Sequence, residues 1–187
     1  GIDLIEETRT SASKDVIMLS KLGFGKANVV IAVPNSWIDV DNIKDLSEVA
    51  SEFRSYNNRR IRVATKFKNI TRNFFSQNGI SNYRLVDSAG ATEGSTAAGT
   101  SEIIVDITET GQTIEANNLK ILNDGVMLES QSCIFSTTSN IWNGVDLEPV
   151  EKFLRIISAR SEAMNKAELF FDYIEDKDGL ELSLIHI

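Results

Sequence analysis

The sequence predicts an α/β protein built on a largely parallel sheet. Short apolar runs rich in β-branched residues, such as residues 28–33 and 102–107, alternate with segments of helical spacing. This alternation is typical of parallel sheets, because the chain needs a helix-length connection to return to the start of the next parallel strand. Residues 106–113 form a small polar loop between a strand and a helix, where this fold class binds ligands.

The first half of the chain opens with apolar residues at helical spacing. Pro34 ends the first predicted strand, because proline has no N–H to donate to a neighbouring strand. In chain order the predictions are a helix over 1–21, a strand over 28–33, a helix over 39–53 capped by Asp41 or Asp45, a strand over 60–65, and a helix over 71–78 stopped by Gly79.

The second half continues the alternation, and its clearest strand contains Ile103, Ile104 and Val105 in succession. In chain order the predictions are a strand over 83–86, a loop leading into a short helix within 90–99, a strand over 102–107, a helix starting near Thr113, strands over 119–122 and 127–136, and one or two helices within 148–171.

Composition and charge argue against several classes of function. The chain has 187 residues, of which 42% are hydrophobic and 25% charged, with a formal net charge of −8. That charge argues against nonspecific nucleic-acid binding, which needs a basic face. The single cysteine, Cys133, rules out an internal disulfide and fits a reducing, cytoplasmic setting. No apolar run has the length of a membrane span.

Both ends of the chain look unlike natural protein ends. The chain opens at Gly1 without a methionine, so we expect an N-terminally truncated fragment. The only histidine is His186, within residues 182–187. We interpret that tail as non-native and assign no chemistry to it.

Residues 106–113 have the composition of a phosphate-binding loop. A loop between a strand and a helix N-terminus directs several backbone N–H groups at one point, where the helix dipole adds positive potential. Gly111 permits close backbone approach, and Thr110 and Thr113 add hydroxyl donors. Asp106 at the strand end is suited to accept hydrogen bonds from sugar hydroxyls, with Glu109 assisting. These residues together predict a site for a phosphorylated ribose.

Simpler interpretations of the same loop stay open at this point. The segment is also consistent with an ordinary capped helix after a core strand, with Thr110 as the N-cap and Asp106 a solvated strand end. A nucleotide P-loop is a poor alternative, because the required Gly-Lys-Ser/Thr is missing.

A wider motif carries a family resemblance. It resembles the ATP phosphoribosyltransferase signature at every defined position but the last, where this chain has Ile114 and the family usually has Leu or Met. Further stretches similar to the family lie at 1–7, 22–25, 30–34, 62–75 and 116–119, so the resemblance covers about 1–140. The motif runs Glu93-x5-Gly99-x-Ser101-x2-Ile104-x-Asp106-Ile107-x2-Thr110-Gly111-x-Thr113-Ile114.

The resemblance implies a two-lobed fold like a type II periplasmic binding protein, with an active site in the cleft. Residues 1–33 and 126–181 would form an incomplete first lobe, and 34–125 the second lobe with the loop. About 70 residues follow the signature, which favours a short-form catalytic subunit that works with a separate regulatory subunit. The family also implies a homo- or hetero-oligomer, with no nucleic-acid or membrane partner.

The implied reaction joins the 5-phosphoribosyl group of 5-phosphoribosyl 1-diphosphate to N1 of ATP, the first step of histidine biosynthesis. Mg²⁺ is the expected cofactor, chelated by the diphosphate, with no protein ligand assigned. The expected catalytic residues are Asp106 and Glu93. The resemblance further implies that Lys66, Arg72 and Asp3 bind ATP or diphosphate. The residues that it implies for binding the phosphoribosyl donor are Asp106, Thr108, Glu109, Thr110, Gly111, Gln112 and Thr113.

Three alternatives compete with this function. The first is a non-catalytic two-lobed protein that binds a phosphate ligand, and the second is a regulatory paralogue. The third is a phosphoribosyltransferase of the other common fold. Its comparable loop has two adjacent acids, whereas Ile107 follows Asp106 here.

Overall fold

The computed structural model describes residues 1–9, 16–88, 90–137, 144–164, 166, 171–176 and 179–184. The chain divides into two compact units, Gly1–Asn140 and Ile141–Ile187. The elements of the first unit are α1 (Ile2–Thr8), β1 (Val16–Lys21), β2 (Ala27–Pro34), α2 (Ile43–Asn57), β3 (Ile61–Thr65), α3 (Lys68–Gln77), β4 (Tyr83–Asp87), a 3₁₀ turn (Thr92–Ser95), β5 (Ile103–Thr108), α4 (Gln112–Ala116), β6 (Leu119–Ser130) and β7 (Cys133–Thr137).

A five-stranded sheet in the order β4-β3-β5-β2-β6 organises this unit. β3 pairs in parallel with β4 and β5, whereas β2 is antiparallel to both β5 and β6. Four strands therefore run the same way and β2 alone is reversed between two of them. The α/β prediction is confirmed. Alternation did not predict the reversed strand, because a long connection can join strands of either relative direction.

The core lies on both faces of β2. Val29, Ile31 and Val33 belong to one buried cluster, and Val30 and Ala32 to the other. All are at most 2% exposed. A strand covered on both faces needs a continuous apolar run rather than an alternating one, which is what the sequence has at these positions.

Helix α2 begins with a capping box. The Asn42 side chain accepts a 3.0 Å hydrogen bond from the Asp45 N–H, and the Asp45 carboxylate accepts from the Asn42 N–H in return. A second donor, the Asp41 N–H, contributes most to holding the Asp45 pKa below its ordinary value. The prediction that Asp41 or Asp45 is the cap is therefore wrong, by one residue for Asp41 and by three for Asp45. Asn42 is the N-cap, and Asp45 is its reciprocal partner in the first turn.

Helix α3 begins at Lys68, three residues earlier than predicted. Its first turn is capped from a distance by Glu7 in α1. The Glu7 carboxylate accepts hydrogen bonds from the N–H groups of Asn69, at 3.0 Å, and Ile70, at 3.1 Å. The Asn69 side-chain amide donates to the Glu7 carbonyl over 2.7 Å. These bonds fix α1 against α3.

Replacing Glu7 with glutamine should lower the free energy of unfolding. A negative charge at a helix N-terminus contributes about 0.3–1 kcal/mol, and glutamine keeps the acceptor oxygen but loses the charge. We expect a loss of about 1 kcal/mol in urea unfolding, with faster amide exchange at Asn69 and Ile70.

The matched control is Glu6→Gln on the same helix. Among the described residues, Glu6 forms an ion pair only with Arg9, at 3.0 Å on the surface, and such pairs contribute little to stability. Equal losses for both variants, or no loss for Glu7→Gln, would contradict the capping role.

Residues 16–21, predicted as the end of a helix, are strand β1 instead. β1 pairs antiparallel with β7 from Val16 opposite Thr137 to Lys21 opposite Cys133. Closely spaced apolar residues such as Val16 and Ile17 are compatible with either period, and the partner strand decides between them. The prediction of one helix over 1–21 is therefore wrong, and α1 ends at Thr8.

The two strands predicted over 119–122 and 127–136 are divided differently. β6 is continuous from Leu119 to Ser130, and β7 is separate. The register of β6 against β2 shifts between Val30 and Ala32. Gly125 lies at this irregularity, where an added Cβ would come 2.9 Å from the Leu122 Cβ and 3.2 Å from the Ile31 carbonyl oxygen. Gly125, which interrupts the apolar pattern, therefore lies at a bulge inside one strand.

The second unit contains α5 (Gly144–Met164) and an antiparallel hairpin of β8 (Phe171–Asp176) and β9 (Gly179–Leu184). The helix predicted within 148–171 overlaps α5, which begins at Gly144 and ends at Met164, and residue 171 begins a strand instead. His186 lies outside the described residues. Among the described helices, none combines the length and apolar character needed to cross a membrane.

Candidate functional site

The carboxyl ends of β3 and β5 lie side by side at one edge of the central sheet. Thr65 pairs with Val105 in the parallel register, so the next residues on the two strands, Lys66 and Asp106, are neighbours. Lys66 Nζ lies 3.8 Å from Asp106 Oδ1. This edge is where open α/β sheets bind ligands.

The Asp106 carboxylate is largely enclosed, with 16% of its side chain exposed. It accepts a 2.8 Å hydrogen bond from the Ile107 N–H and another from the Thr92 hydroxyl. Burial raises the pKa of Asp106 above its ordinary value, and the charge of Glu93 raises it further. The two hydrogen bonds and the Lys66 ammonium oppose these effects without cancelling them. Carboxyls perturbed in this way are concentrated at functional sites.

A turn after β4 brings Glu93 to the same edge. Ala91 has a φ of 48°, in the left-handed region, and leads into the 3₁₀ turn. Thr92 is 2% exposed, and its Oγ1 lies 3.0 Å from Ser88 Oγ. The two carboxylates expected to be catalytic, Asp106 and Glu93, therefore lie close enough to interact electrostatically.

The loop after β5 is ordered by its own threonines. The Gly111 N–H donates to Thr108 Oγ1 over 2.9 Å, and the Gln112 N–H donates to Thr110 Oγ1 over 3.4 Å. Gly111, with a φ of 81°, is the N-cap of α4. Thr113 in the first turn is exposed. The first N–H groups of a helix have no carbonyl partner within it.

The interpretation of this loop as an ordinary capped helix is wrong in two details. The N-cap is Gly111, which has no side chain, rather than Thr110. Asp106 is an enclosed residue rather than a solvated strand end.

Two expected site residues lie apart from this cluster. Arg72 is exposed on α3, where its Nη1 donates to Asn69 Oδ1 over 3.3 Å. Asp3 accepts a 2.6 Å hydrogen bond from the Ser130 hydroxyl. In the described parts of the chain, no hydrogen bond or ion pair joins Arg72 or Asp3 to Asp106.

Sequence reasoning missed Thr92 and Ser88, which support the site from beneath. The Thr92 hydroxyl contacts both Asp106 and Ser88. The available signal was the position of Thr92 directly before Glu93, at the start of the motif. Nothing else near Thr92 in the sequence marks it as a site residue, because only the fold places it beside the Asp106 carboxylate.

The described residues contain no group of three or more His, Cys, Asp or Glu side chains arranged to hold a metal ion. The Asp106–Glu93 pair offers two carboxylates, which suits Mg²⁺ that is held mainly by substrate phosphates.

Comparison with known proteins gives a family. A family model described as ATP phosphoribosyltransferase matches residues 1–159. The ATP phosphoribosyltransferase of Bradyrhizobium sp. (strain ORS 278) is 51% identical over 169 residues, covering 90% of this chain and 52% of the relative. That of Caulobacter vibrioides is 42% identical over 177 residues, covering 95% and 55%. The chain thus spans about half the length of these curated relatives.

Solved structures agree with the predicted fold. The ATP phosphoribosyl transferase (HisG:HisZ) complex from Thermotoga maritima matches with a TM-score of 0.62 and 25% identity, covering 88% of this chain and 68% of that one. The P235GK mutant of ArgBP from T. maritima matches with a TM-score of 0.50 and 18% identity, covering 82% and 61%. The second likeness shows the fold alone, and confirms the periplasmic-binding-protein-like prediction. These likenesses disfavour the other common phosphoribosyltransferase fold. From the match over 1–159, the chain belongs to the ATP phosphoribosyltransferase family.

Proposed function

We propose that the protein containing this chain transfers the 5-phosphoribosyl group of 5-phosphoribosyl 1-diphosphate to N1 of ATP. The products are phosphoribosyl-ATP and diphosphate, and the reaction is the first step of histidine biosynthesis. The observation that carries the proposal is the enclosed Asp106 beside Glu93 and Lys66, followed directly by a glycine-initiated helix turn. Family membership gives this arrangement its substrate class.

The loop supplies the phosphate contacts in this proposal. Thr110, Gly111, Gln112 and Thr113 hold the 5-phosphate through backbone N–H groups and hydroxyls. The first turn of α4 presents N–H groups that lack helix carbonyl partners, and an anion satisfies them. Thr108 has a different task, because its hydroxyl already accepts the Gly111 N–H and fixes the loop.

Asp106 and Glu93 act on the ribose. Asp106 accepts hydrogen bonds from the ribose hydroxyls, with Glu109 at the rim of the same loop. Bond breaking at C1 leaves positive charge on the sugar, and two nearby carboxylates stabilise that charge. Enclosure strengthens this interaction, because the dielectric around Asp106 is lower than in water. No covalent nucleophile is required.

Cations balance the phosphates of the two substrates. Lys66 is half-exposed beside Asp106, so its ammonium can turn from the carboxylate to a diphosphate oxygen. Arg72 and Asp3 are assigned to ATP or diphosphate contacts at the margins of the site. Mg²⁺ would fit as a cofactor held by substrate phosphates, with Asp106 or Glu93 as an added oxygen ligand, and it would supply neutralising charge for the diphosphate leaving group.

The wider organisation follows from the same assignment. The second lobe, expected over 34–125, also includes β2 (Ala27–Pro34) and the whole of β6 (Leu119–Ser130), because both strands pair within the same five-stranded sheet as β3, β4 and β5. The protein is a short-form catalytic subunit that works in the cytoplasm. A separate regulatory subunit completes the assembly, a proposal supported by the similarity to the two-component HisG:HisZ complex from T. maritima.

The test is product formation by the complete reading frame with ATP, 5-phosphoribosyl 1-diphosphate and Mg²⁺, followed by mass spectrometry. The assay is run with and without a regulatory-subunit partner. We expect phosphoribosyl-ATP from the unmodified protein and at least about tenfold less from Thr113→Val, because a hydrogen bond to a charged group contributes about 1.5–3 kcal/mol.

Thr100→Val is the matched control. It removes a hydroxyl that donates to the Ser95 carbonyl over 2.9 Å, just before the opposite end of β5, and should leave turnover unchanged. A folded protein that binds the phosphoribosyl donor but forms no product, even with the partner, would move the regulatory or phosphate-binding alternatives ahead.

A further inference from the structure

Helix α1 packs against α3 and β6 without contributing a buried side chain. All seven of its residues are partly or fully exposed, so hydrophobic burial does little to fix its position. Polar contacts at its two ends hold it instead. At its start, the Ile2 N–H donates to the Gln131 carbonyl over 3.3 Å, and the Asp3 N–H donates to Ser130 Oγ over 3.2 Å. At its end, Glu7 contacts α3.

Glu7 is the stronger of two polar contacts that hold the first turn of α3. Its carboxylate accepts the Asn69 N–H at 3.0 Å and the Ile70 N–H at 3.1 Å. The second contact joins Lys68 to Asp87 at 2.9 Å, but the Asp87 side chain is mostly exposed. Exposed ion pairs contribute little, whereas a carboxylate on helix N–H groups makes charge-assisted hydrogen bonds. Loss of the Glu7 charge should therefore displace this turn.

A tightly bonded turn connects the start of α3 to Lys66. Phe67 alone separates Lys66 from the helix, and it is buried. Its N–H donates to Thr65 Oγ1 over 2.9 Å, and its carbonyl accepts the Thr71 N–H over 3.0 Å. Both threonines are fully buried. Because Phe67 is bonded on both sides, a shift in the first turn of α3 also moves the backbone of Lys66.

The Lys66 ammonium has two neighbours whose distances such a shift would change. Nζ lies 3.8 Å from Asp106 Oδ1 and 5.1 Å from the centre of the Phe67 ring. The attraction to the carboxylate and the attraction to the ring face both weaken with distance. The Lys66 side chain is 52% exposed, so these neighbours, rather than close packing, determine where the ammonium lies.

We propose that Glu7 is a positioning residue for Lys66. Through the first turn of α3 and Phe67, the placement of α1 determines where the cation beside Asp106 meets a phosphate oxygen. Glu7 acts through the backbone between the two residues and not by contact with the substrate. The inference rests on the proposed function for the reaction in which that phosphate takes part. Its physical content is a coupling between two residues, which a double-mutant cycle measures.

The cycle is measured on the complete protein by isothermal titration calorimetry, with inorganic diphosphate and Mg²⁺ as the probe. We expect Lys66→Met to bind diphosphate at least about tenfold more weakly, because a hydrogen bond between charged groups is lost. Glu7→Gln should bind it about fivefold more weakly, at the low end of the range for coupled sites. The double variant should bind no more weakly than Lys66→Met, because the effect of Glu7 passes through Lys66.

Three results of this cycle would overturn the proposal. Unchanged affinity in Glu7→Gln would show that α1 does not affect the cation. Unchanged affinity in Lys66→Met would show that Lys66 is not the cation that meets the phosphate. Losses that multiply in the double variant would show that Glu7 affects diphosphate binding by a route that does not include Lys66.

Two controls separate positioning from loss of stability. Asn42→Ala removes the side-chain cap of α2, which destabilises the fold without touching the turn that carries Lys66. Glu6→Gln removes the same charge from α1 as Glu7→Gln does. Both controls should keep the diphosphate affinity of the unmodified protein. Equal weakening by Asn42→Ala and Glu7→Gln would assign the effect to general destabilisation and overturn the positioning role.

Failure of the proposed function looks different from failure of this inference. If the proposed function is wrong, the unmodified protein forms no phosphoribosyl-ATP, while Glu7 and Lys66 still show their coupling in diphosphate binding. If only the inference is wrong, the protein forms phosphoribosyl-ATP and the losses multiply in the cycle.

Discussion

Replacing Asp106 with asparagine should nearly abolish phosphoribosyl transfer and at the same time stabilise the fold. Asparagine is close in shape but neutral, so it can neither offset positive charge on the ribose nor accept hydrogen bonds at both oxygens. Loss of one preorganised electrostatic contact costs about 10²–10³ in turnover. The measurement is kcat for phosphoribosyl-ATP formation at saturating substrates, beside a urea unfolding curve of the same preparation.

The stability gain follows from the enclosure of the carboxyl. Burial, with help from Glu93, raises the pKa of Asp106 above its ordinary value. The native state then binds a proton more readily than the unfolded state, so stability falls as the pH rises through the window above that ordinary value. Asparagine removes this penalty. The gain should therefore be full at neutral pH and vanish below pH 3.8, the ordinary pKa of the carboxyl.

Asp87→Asn is the matched control for this variant. Asp87 ends the neighbouring strand β4 and pairs with Lys68 at 2.9 Å, but its side chain is 75% exposed. We expect little change in kcat or in unfolding, because an exposed pair of this kind contributes little. An Asp106→Asn protein that is less stable than the unmodified one at neutral pH would show that the Lys66 and Ile107 contacts outweigh burial.

Local patterns were sufficient to predict strand β5 and the loop that follows it. The run from Ile103 to Val105 is apolar without interruption, and this indicated a buried strand with Asp106 at its end. Gly111 between threonines indicated the turn into α4. These features depend on neighbours within a few residues, so the sequence carries them directly.

Contacts between distant segments could not be predicted in the same way. The cap of α3 is Glu7, which is 62 residues away from Asn69, and nothing near residue 68 signals it. The cap of α2 was a local error instead, because Asn42 takes the place of the expected Asp41 or Asp45 and Asp45 is its reciprocal partner three residues later. The strand at 16–21 depends on β7, more than a hundred residues later. The misses at α3 and β1 each concern a partner that the local pattern does not contain.

The candidate site shows the same division. The motif predicted Asp106 and Glu93 as catalytic residues of one site, and the fold places them at the same edge of the sheet. The motif did not indicate Glu129, which lies outside it and is aligned with Thr108 across Asn28 only through the antiparallel pairing of β2 with β5 and β6. Alternation of strands and helices did not predict that pairing.

Gly111→Ala is expected to weaken binding of the phosphoribosyl donor by at least about tenfold, which corresponds to a loss of about 1.4 kcal/mol of binding free energy. Space is not the reason, because an added Cβ would lie 3.5 Å from Ile121 Cδ1, an ordinary contact. The reason is the φ of 81°, which costs a residue with a Cβ about 1–2 kcal/mol. Relief of that strain would turn the Gly111 N–H away from Thr108 Oγ1 and move the amides that the 5-phosphate needs.

Gly79→Ala separates strain from binding. Gly79 has a φ of 71° with nothing within 4 Å of an added Cβ, so alanine there meets the same backbone penalty just after α3. Both variants should lose about 1–2 kcal/mol in urea unfolding, but only Gly111→Ala should lose affinity for 5-phosphoribosyl 1-diphosphate in calorimetry. If both variants lost affinity to the same extent, general destabilisation would explain the effect, and the result would not support phosphate binding by the loop. If neither did, the 5-phosphate would have to bind elsewhere.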